Sequence, residues 1–215
     1  MRQVALVGDG IWLSAPTVED VPAITACCQE PGLAEMTSTI PIPFGEEDAR
    51  HFVTETVGPE WSQGTSLNWA VRLEEAGEAV GMVGLHGCGK FIPPGAREDG
   101  EDGFAFDQAE LGYWLSAEVR SRGVMTDAAR QVCAFGFGIL RLGSVRWQAL
   151  VGNAPSARVA RRVGFRFSGV ERFDSWRGSG ADVWTARLRP EELRETDQEP
   201  LPGAWPNLTA GAVAQ

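Results

Sequence analysis

Histidine, lysine and tyrosine are almost missing from this chain. Its 215 residues hold two histidines (His51, His86), one lysine (Lys90) and one tyrosine (Tyr113). Two histidines exclude a multi-histidine metal centre, and no metal is expected. The four cysteines, Cys27, Cys28, Cys88 and Cys133, form no CxxC pair. No apolar run is long enough to span a bilayer. The opening "MRQVALVGDG" has too short an apolar stretch for a signal peptide. The expectation is a cytoplasmic protein with reduced thiols and no membrane contact. Without export, the sequon at Asn207-Leu208-Thr209 carries little meaning.

What is present is acid, arginine and glycine. The formal net charge is −10, with 26 glycines. The charge is uneven: Arg120 to Arg189 holds 13 arginines against four acids, a local +9. A basic segment inside an acidic chain implies an anionic partner or a compensating fold. The acidic remainder would repel nucleic acid at long range, so a small polyanion held locally is the better fit.

Hydrophobic periodicity divides the chain. "QVALVGDGIWLSA" reads as two short strands around a Gly8-Asp9-Gly10 turn. Thr17 or Asp20 caps a helix through about Cys28, with Val21, Ile24 and Cys28 on one face. A second helical stretch runs from Glu46 to about Val57. Ser66 to Leu73 and Ala79 to Leu85 are strand-like. Residues 87–107 form a long glycine-rich, acidic loop whose length marks it for attention. Glu110 to Leu115, "ELGYWL", is the next strand. From Gly123, Val124, Ala128, Val132, Phe135 and Ile139 fall three or four apart, which is one buried helix face. Ser144 to Val151 alternates as a strand. Pro155 suits a helix's first turn and Gly164 its stop. "FRFSGVERF" and "DVWTARLR" are two final strands. The expected fold class is α/β, one domain over residues 1–189 with a mixed sheet flanked by helices. Residues 190–215 form an acidic, proline-containing tail that Trp205 can anchor.

Two motifs mislead. "GLHGCGK" (Gly84 to Lys90) satisfies GxxxxGK, yet Phe91, Pro93 and Pro94 follow where a hydroxyl and a helix are needed. "VGDGIWL" has two glycines of a dinucleotide fingerprint but Leu13 where the third belongs.

"VRSRGVMTDA", Val119 to Ala128, is more informative. A glycine turn feeding a helix start presents unpaired N–H groups and the positive end of the helix dipole. That makes either an anion site, commonly for phosphate, or a plain surface turn with two solvated arginines. The strand "ELGYWL", this turn, a strand ending at Val151-Gly152 and the segment "NAPSARVARRVGF" follow one another. Together they resemble the GNAT superfamily of N-acetyltransferases, nearest to its ribosomal-protein N-terminal acetyltransferase branch, over roughly Ile11 to Arg189.

The resemblance implies a mostly antiparallel sheet splayed in the middle, with acetyl-CoA as co-substrate. The pyrophosphate would lie on the loop Arg120, Ser121, Arg122, Gly123, Val124, Met125 and Thr126. Met125 stands where the family has a small residue, so it either crowds the phosphate or points inward. Tyr113, Trp114 and Leu115 would line the pantetheine gap, and Asn153 and Ser156 would reach the pantetheine from the next helix. Asn153 also fits a helix cap. The family's common tyrosine acid falls at Ala160, leaving Ser156 as the hydrogen-bond donor to sulfur. Glu110 stands where the branch often has a base, and an outward strand residue is its other reading.

The acceptor is poorly specified. Trp61, Trp69 and Trp176 are candidate pocket residues, although large aromatics usually build cores. The acidic run Glu98, Asp99, Glu101 and Asp102 can attract a cationic amine or simply be solvated. The function expected is transfer of an acetyl group to a primary amine, on a protein N-terminus or a small metabolite or antibiotic. The alternative is a non-catalytic acyl-CoA-binding or regulatory module on the same fold. Nucleic acid is not expected as a partner, and a homodimer is left open.

Overall fold

The computed structural model describes residues 1–8, 10–88, 108–194 and 205–208. The acidic run at 98–102, Lys90 and most of the expected long loop lie outside the described residues. Eight strands form one sheet in the order β1-β2-β3-β4-β5-β6-β8-β7. They are β1 (Leu6–Gly8), β2 (Ile11–Ser14), β3 (Ser66–Arg72), β4 (Gly81–His86), β5 (Gln108–Leu115), β6 (Ser144–Leu150), β7 (Arg166–Phe173) and β8 (Ala181–Leu188). Every strand pair is antiparallel except β5 with β6.

The burial of each strand follows its place. β3 is buried at all seven positions and β4 at its first five, as expected of central strands covered on both faces. β7 lies at the edge, where Arg166, Glu171 and Arg172 are exposed. Charges there discourage pairing with another sheet.

Helices cover both faces. On one side lie α1 (Val21–Cys28) and α2 (Glu46–His51). Val21, Ile24, Cys28, Ala49 and Val53 meet Ala70 of β3 and Met82 of β4 there. On the other side, α4 (Val124–Gly138) and α5 (Ala154–Val163) pack Ala128, Val132, Phe135, Ala157 and Ala160 into the main core. Between α2 and β3 the expected second helix runs past Val57. A π-helical turn at Phe52–Val57 leads into α3 (Gly58–Gln63), which ends at Gly64 in the left-handed region (φ 69°). Pro59 follows directly on the π-helical turn, in a helical backbone that runs unbroken from α2 into α3.

Ile139 departs from the expected buried stripe. It sits just past the end of α4 and is 63% exposed, while Leu140 and Leu142 fill the core in its place. The C-terminal segment also returns to the domain. Arg194 N donates to Val163 O at 3.1 Å, and Glu192 O would lie 2.2 Å from a Cβ at position 164. Gly164 therefore serves both the helix stop (φ 119°) and this close approach. Trp205 does anchor residues 205–208: its ring lies 5.7 Å from Trp147 and 5.4 Å from Phe167. Asp20 and Arg72 form a buried ion pair at 2.7 Å that ties the entry of α1 to β3.

Candidate active site

The sheet opens at one place. β5 and β6 pair only from Gln108↔Ser144 to Glu110↔Arg146. β5 continues to Leu115 and β6 to Leu150, each held on its far side by β4 or β8. Beyond Glu110 the facing edges of β5 and β6 therefore separate, which is the expected splay.

The helical face of this split carries the thiol-side candidates. Tyr113 Oη donates to Ser156 O at 2.8 Å and accepts from Ser156 Oγ at 3.2 Å. Trp147 Nε1 donates to the same Oγ at 3.2 Å. Burial pushes the Tyr113 phenol far above its usual value, against the hydrogen bonds to Ser156 and Trp147. It is held neutral. Ser156 N donates to Asn153 Oδ1 at 3.2 Å, so Asn153 is the N-cap of α5, which leaves its amide NH₂ to donate elsewhere. Leu115 belongs to this core, whereas Trp114 packs on the opposite face with the α1–α2 cluster. Adjacent strand residues must point to opposite sides. Ala160, where the tyrosine acid was missed, is fully buried.

Next to the split, Gly123 takes φ 85° as the N-cap of α4. The first helical hydrogen bond runs from Asp127 N to Gly123 O at 3.1 Å, so the N–H groups just before it open the helix. Val124, Met125 and Thr126 bury their side chains at 7%, 5% and 3% exposure. Met125 thus points into the core and does not crowd the turn. Ser121 (φ 62°) and Arg122 are exposed. Arg120 is engaged inward: Nε donates to Leu115 O at 2.8 Å and its guanidinium pairs with Glu30 at 2.7 Å. Glu30 also accepts from Ala117 N at 3.0 Å. Arg120 clasps the turn to the end of α1. No motif marks Glu30, which lies 90 residues away in sequence.

The opposite face carries the amine-side candidates. Glu110 is partly buried, and Gln148 Nε2 donates to its Oε1 at 3.1 Å. Burial raises its carboxyl above the usual value, against the opposing effects of Gln148 and Arg146. Glu110 is therefore not a fully solvated strand residue. Asn68 Nδ2 reaches Glu60 at 3.3 Å, and burial raises the Glu60 carboxyl too. His86 is the register partner of Glu110. Sequence reasoning passed over Asn68, His86 and Gln148. Period-two alternation from Glu110, carried onto neighbouring strands, is the signal that would have found them.

The tryptophans divide. Trp61 and Trp69 are core, edge to face at 4.8 Å, with indole N–H groups on Asn68 O and Val4 O. Trp176 is buried beside Phe173 in the β7–β8 hairpin, whose Arg177 donates to Ile40 O at 2.7 Å and to Ala34 O. That hairpin and the α1–α2 connection are thereby joined. All four cysteines are free and buried, and burial pushes the Cys28 and Cys88 thiols up to about 12 and about 11. Burial favours the neutral thiol at all four. Among the described residues no cluster could hold a metal, and no helix is long and apolar enough to cross a membrane.

The family model for the acetyltransferase (GNAT) domain matches residues 11–166. The chain belongs to the GNAT acetyltransferases. YdaF of Bacillus subtilis (strain 168), whose naming as a ribosomal N-acetyltransferase is provisional, is 32% identical over 120 residues, 55% of this chain and 58% of that relative. The chain thus matches little more than half of YdaF's length. Among solved structures, RimL, titled a ribosomal L7/L12 α-N-protein acetyltransferase in complex with coenzyme A, superposes with a TM-score of 0.68 at 18% identity, covering 86% of this chain and 96% of that one. The microcin C7 self-immunity acetyltransferase MccE, in complex with acetyl-CoA and AMP, gives 0.66 at 17% identity, covering 85% and 93%. At these identities the likeness shows the GNAT fold.

Proposed function

We propose that this GNAT member transfers the acetyl group of acetyl-CoA to a primary amine, by direct attack with both substrates bound. One observation carries the reading: β5 and β6 part just beyond Glu110, with Glu110 on one face of the sheet and Tyr113, hydrogen-bonded to Ser156, on the other. The residues present fit the co-substrate. The separated strand edges leave N–H and C=O groups for a pantetheine arm, and the N–H groups around Gly123 suit a pyrophosphate. Coenzyme A in RimL and acetyl-CoA in MccE, on the same fold, support acetyl-CoA as the co-substrate.

The co-substrate supplies an activated acetyl thioester. The protein's residues do the rest. Asn153, through its free NH₂, and the edges of β5 and β6 orient the arm. Glu110 takes one proton from the ammonium form of the amine. The freed nitrogen forms the N–C bond as the C–S bond breaks, and its second proton ends on the departing thiolate. Ser156 steadies the sulfur by a hydrogen bond. It can do so only by turning its hydroxyl from Tyr113, and Tyr113 itself is too weak an acid to lead.

An α-amine suits this site better than lysine. Its pKa lies near about 8 against about 10.4 for lysine, so a modest base frees far more of it at neutral pH. A protein or peptide N-terminus is therefore the favoured acceptor class, and the naming of RimL as an α-N-protein acetyltransferase supports it. A small amine-bearing metabolite or antibiotic is the variant within the same chemistry.

The second reading is an acyl-CoA-binding module without turnover. The Ser156 hydroxyl committed to Tyr113, with Ala160 beneath, favours it. Thiol release measured with acetyl-CoA and a panel of peptides, free lysine and aminoglycosides separates the two. Release with α-amine peptides supports the enzyme; coenzyme A binding without release for any acceptor leaves the module.

A further inference from the structure

Two glycines face each other in the middle of the sheet. Gly84 of β4 and Gly112 of β5 are register partners, two residues from the His86↔Glu110 pair. By alternation all four lie on the face of α1 and α2. Glycine weakens a strand interior and often marks a close approach. Here the approach is by side chains. His86 Nε2 would lie 3.0 Å from a Cβ at Gly84 and 2.9 Å from one at Gly112, and Asn68 Oδ1 2.6 Å from the one at Gly84. The imidazole leans back over the bare pair, with Asn68 beside it.

The groups around this floor are polar. Glu110 comes from β5, Asn68 from β3 with Glu60 of α3 behind it, and Gln148 and Arg146 from β6. Among the described residues no hydrogen bond engages the His86 ring. Gln148 holds one Glu110 oxygen from the β6 side, and His86 stands on the β4 side. Gly112 presents no side chain between them.

We propose that His86 is part of the acceptor site: its imidazole accepts an N–H of the incoming amine over Gly112, while Glu110 accepts the proton that leaves. The assignment rests on the acetyltransferase reading above. Burial keeps the His86 pKa below its usual value, so the ring is neutral at pH 7 and one nitrogen is a free acceptor. A neutral ring does not repel an ammonium as a protonated one would. The arrangement asks for an amine with two N–H groups in reach, a primary amine.

The test uses the full-length protein, acetyl-CoA and an alanyl tripeptide amide. In His86→Phe, which has no acceptor, the peptide KM should rise about tenfold with kcat within about threefold, the loss of one hydrogen bond to a charged group. Gly112→Ala keeps His86 but displaces its ring, and should raise KM in the same way. Coenzyme A affinity by calorimetry should be unchanged in both. On the acid limb, log(kcat/KM) against pH should lose one unit of slope in His86→Gln, because one fewer group must be deprotonated. Should either variant fold poorly, histidine NMR of the wild type gives the answer. Peptide should move the His86 signal and leave exposed His51 in place. An unchanged KM in a folded His86→Phe together with an unchanged acid limb in His86→Gln, or a His86 signal unmoved by saturating peptide, overturns the assignment alone. A wild type that neither binds coenzyme A nor releases thiol overturns the acetyltransferase reading, and this assignment with it.

Discussion

The two faces of the split sheet are built by different means. On the α4–α5 face the candidate site is made by short, contiguous segments: the turn around Gly123, and Asn153 to Ser156 at the start of α5. Backbone groups and helix ends do most of its work, so bulky Met125 can be buried without consequence. On the α1–α2 face the site is made by single side chains from four strands, Asn68, His86, Glu110 and Gln148, set side by side by register. A backbone site needs local φ/ψ values and tolerates side-chain change. A register site needs each strand in place and depends on the particular side chains it presents. On the function proposed above, the first face takes the constant co-substrate and the second the variable acceptor.

Glu110→Gln should break the comparison most strongly. It keeps the shape and can keep the contact with Gln148, but cannot accept a proton. General-base assistance is worth about 10²- to 10⁴-fold, so kcat/KM near pH 7 should fall by that order. The deficit should shrink as pH rises, because more of the amine is already neutral. Stability should move the other way. The folded-state pKa of Glu110 is raised by burial, so the folded protein holds this proton more tightly than the unfolded chain. That contribution is present below the unfolded value, near about 4.3, and is lost as pH rises through the folded value. Removing the carboxyl should therefore make the protein relatively more stable at pH 7 than at pH 4, read by urea unfolding at both. A small, pH-independent rate loss would make Glu110 a positioning group and leave the amine to water.

The same contrast explains what was legible in the sequence. The order of strands and helices was readable because periodicity and glycine or proline punctuation are local. The α4–α5 face was readable for the same reason: Gly123 and Asn153 act within a few residues of themselves. Glu110 was found by resemblance. His86 was noticed only as one of two histidines, because its meaning depends on pairing with Glu110 across a connection of more than 20 residues. Glu30 was invisible because its partner Arg120 is 90 residues away. Trp61 and Trp69 suggested a pocket by composition, but their N–H groups are spent on backbone carbonyls inside the core. Ile139 was misplaced because the helix period was carried past Gly138, the last helical residue, onto the cap itself.

Gly123→Ala should sharpen the backbone side. At φ 85° an alanine costs about 1–2 kcal/mol, while its Cβ would meet only Asp127 Oδ2, at 3.7 Å. The cost is therefore conformational. The turn should relax and coenzyme A affinity should fall about tenfold by calorimetry, with the peptide KM unchanged. A loss of peptide binding with coenzyme A affinity intact would reverse the assignment of the two faces.

Asn153→Ala should give the smallest effect and divides two roles in one side chain. As the N-cap of α5, its Oδ1 holds Ser156 N at 3.2 Å, and losing such a cap costs about 1 kcal/mol. As a donor to the pantetheine, its NH₂ adds affinity that a cap alone would not. Asn153→Asp separates the two, because aspartate caps as well as asparagine but donates nothing and brings a negative charge. If Asn153 only caps, Asn153→Asp should match wild type in melting temperature and in acetyl-CoA KM, while Asn153→Ala falls in melting temperature alone. If it also holds the arm, Asn153→Asp should keep the melting temperature and raise the acetyl-CoA KM several-fold. The second outcome is expected, because Oδ1 is already spent on the helix and the NH₂ is left to donate, on a residue that follows β6 closely and begins α5.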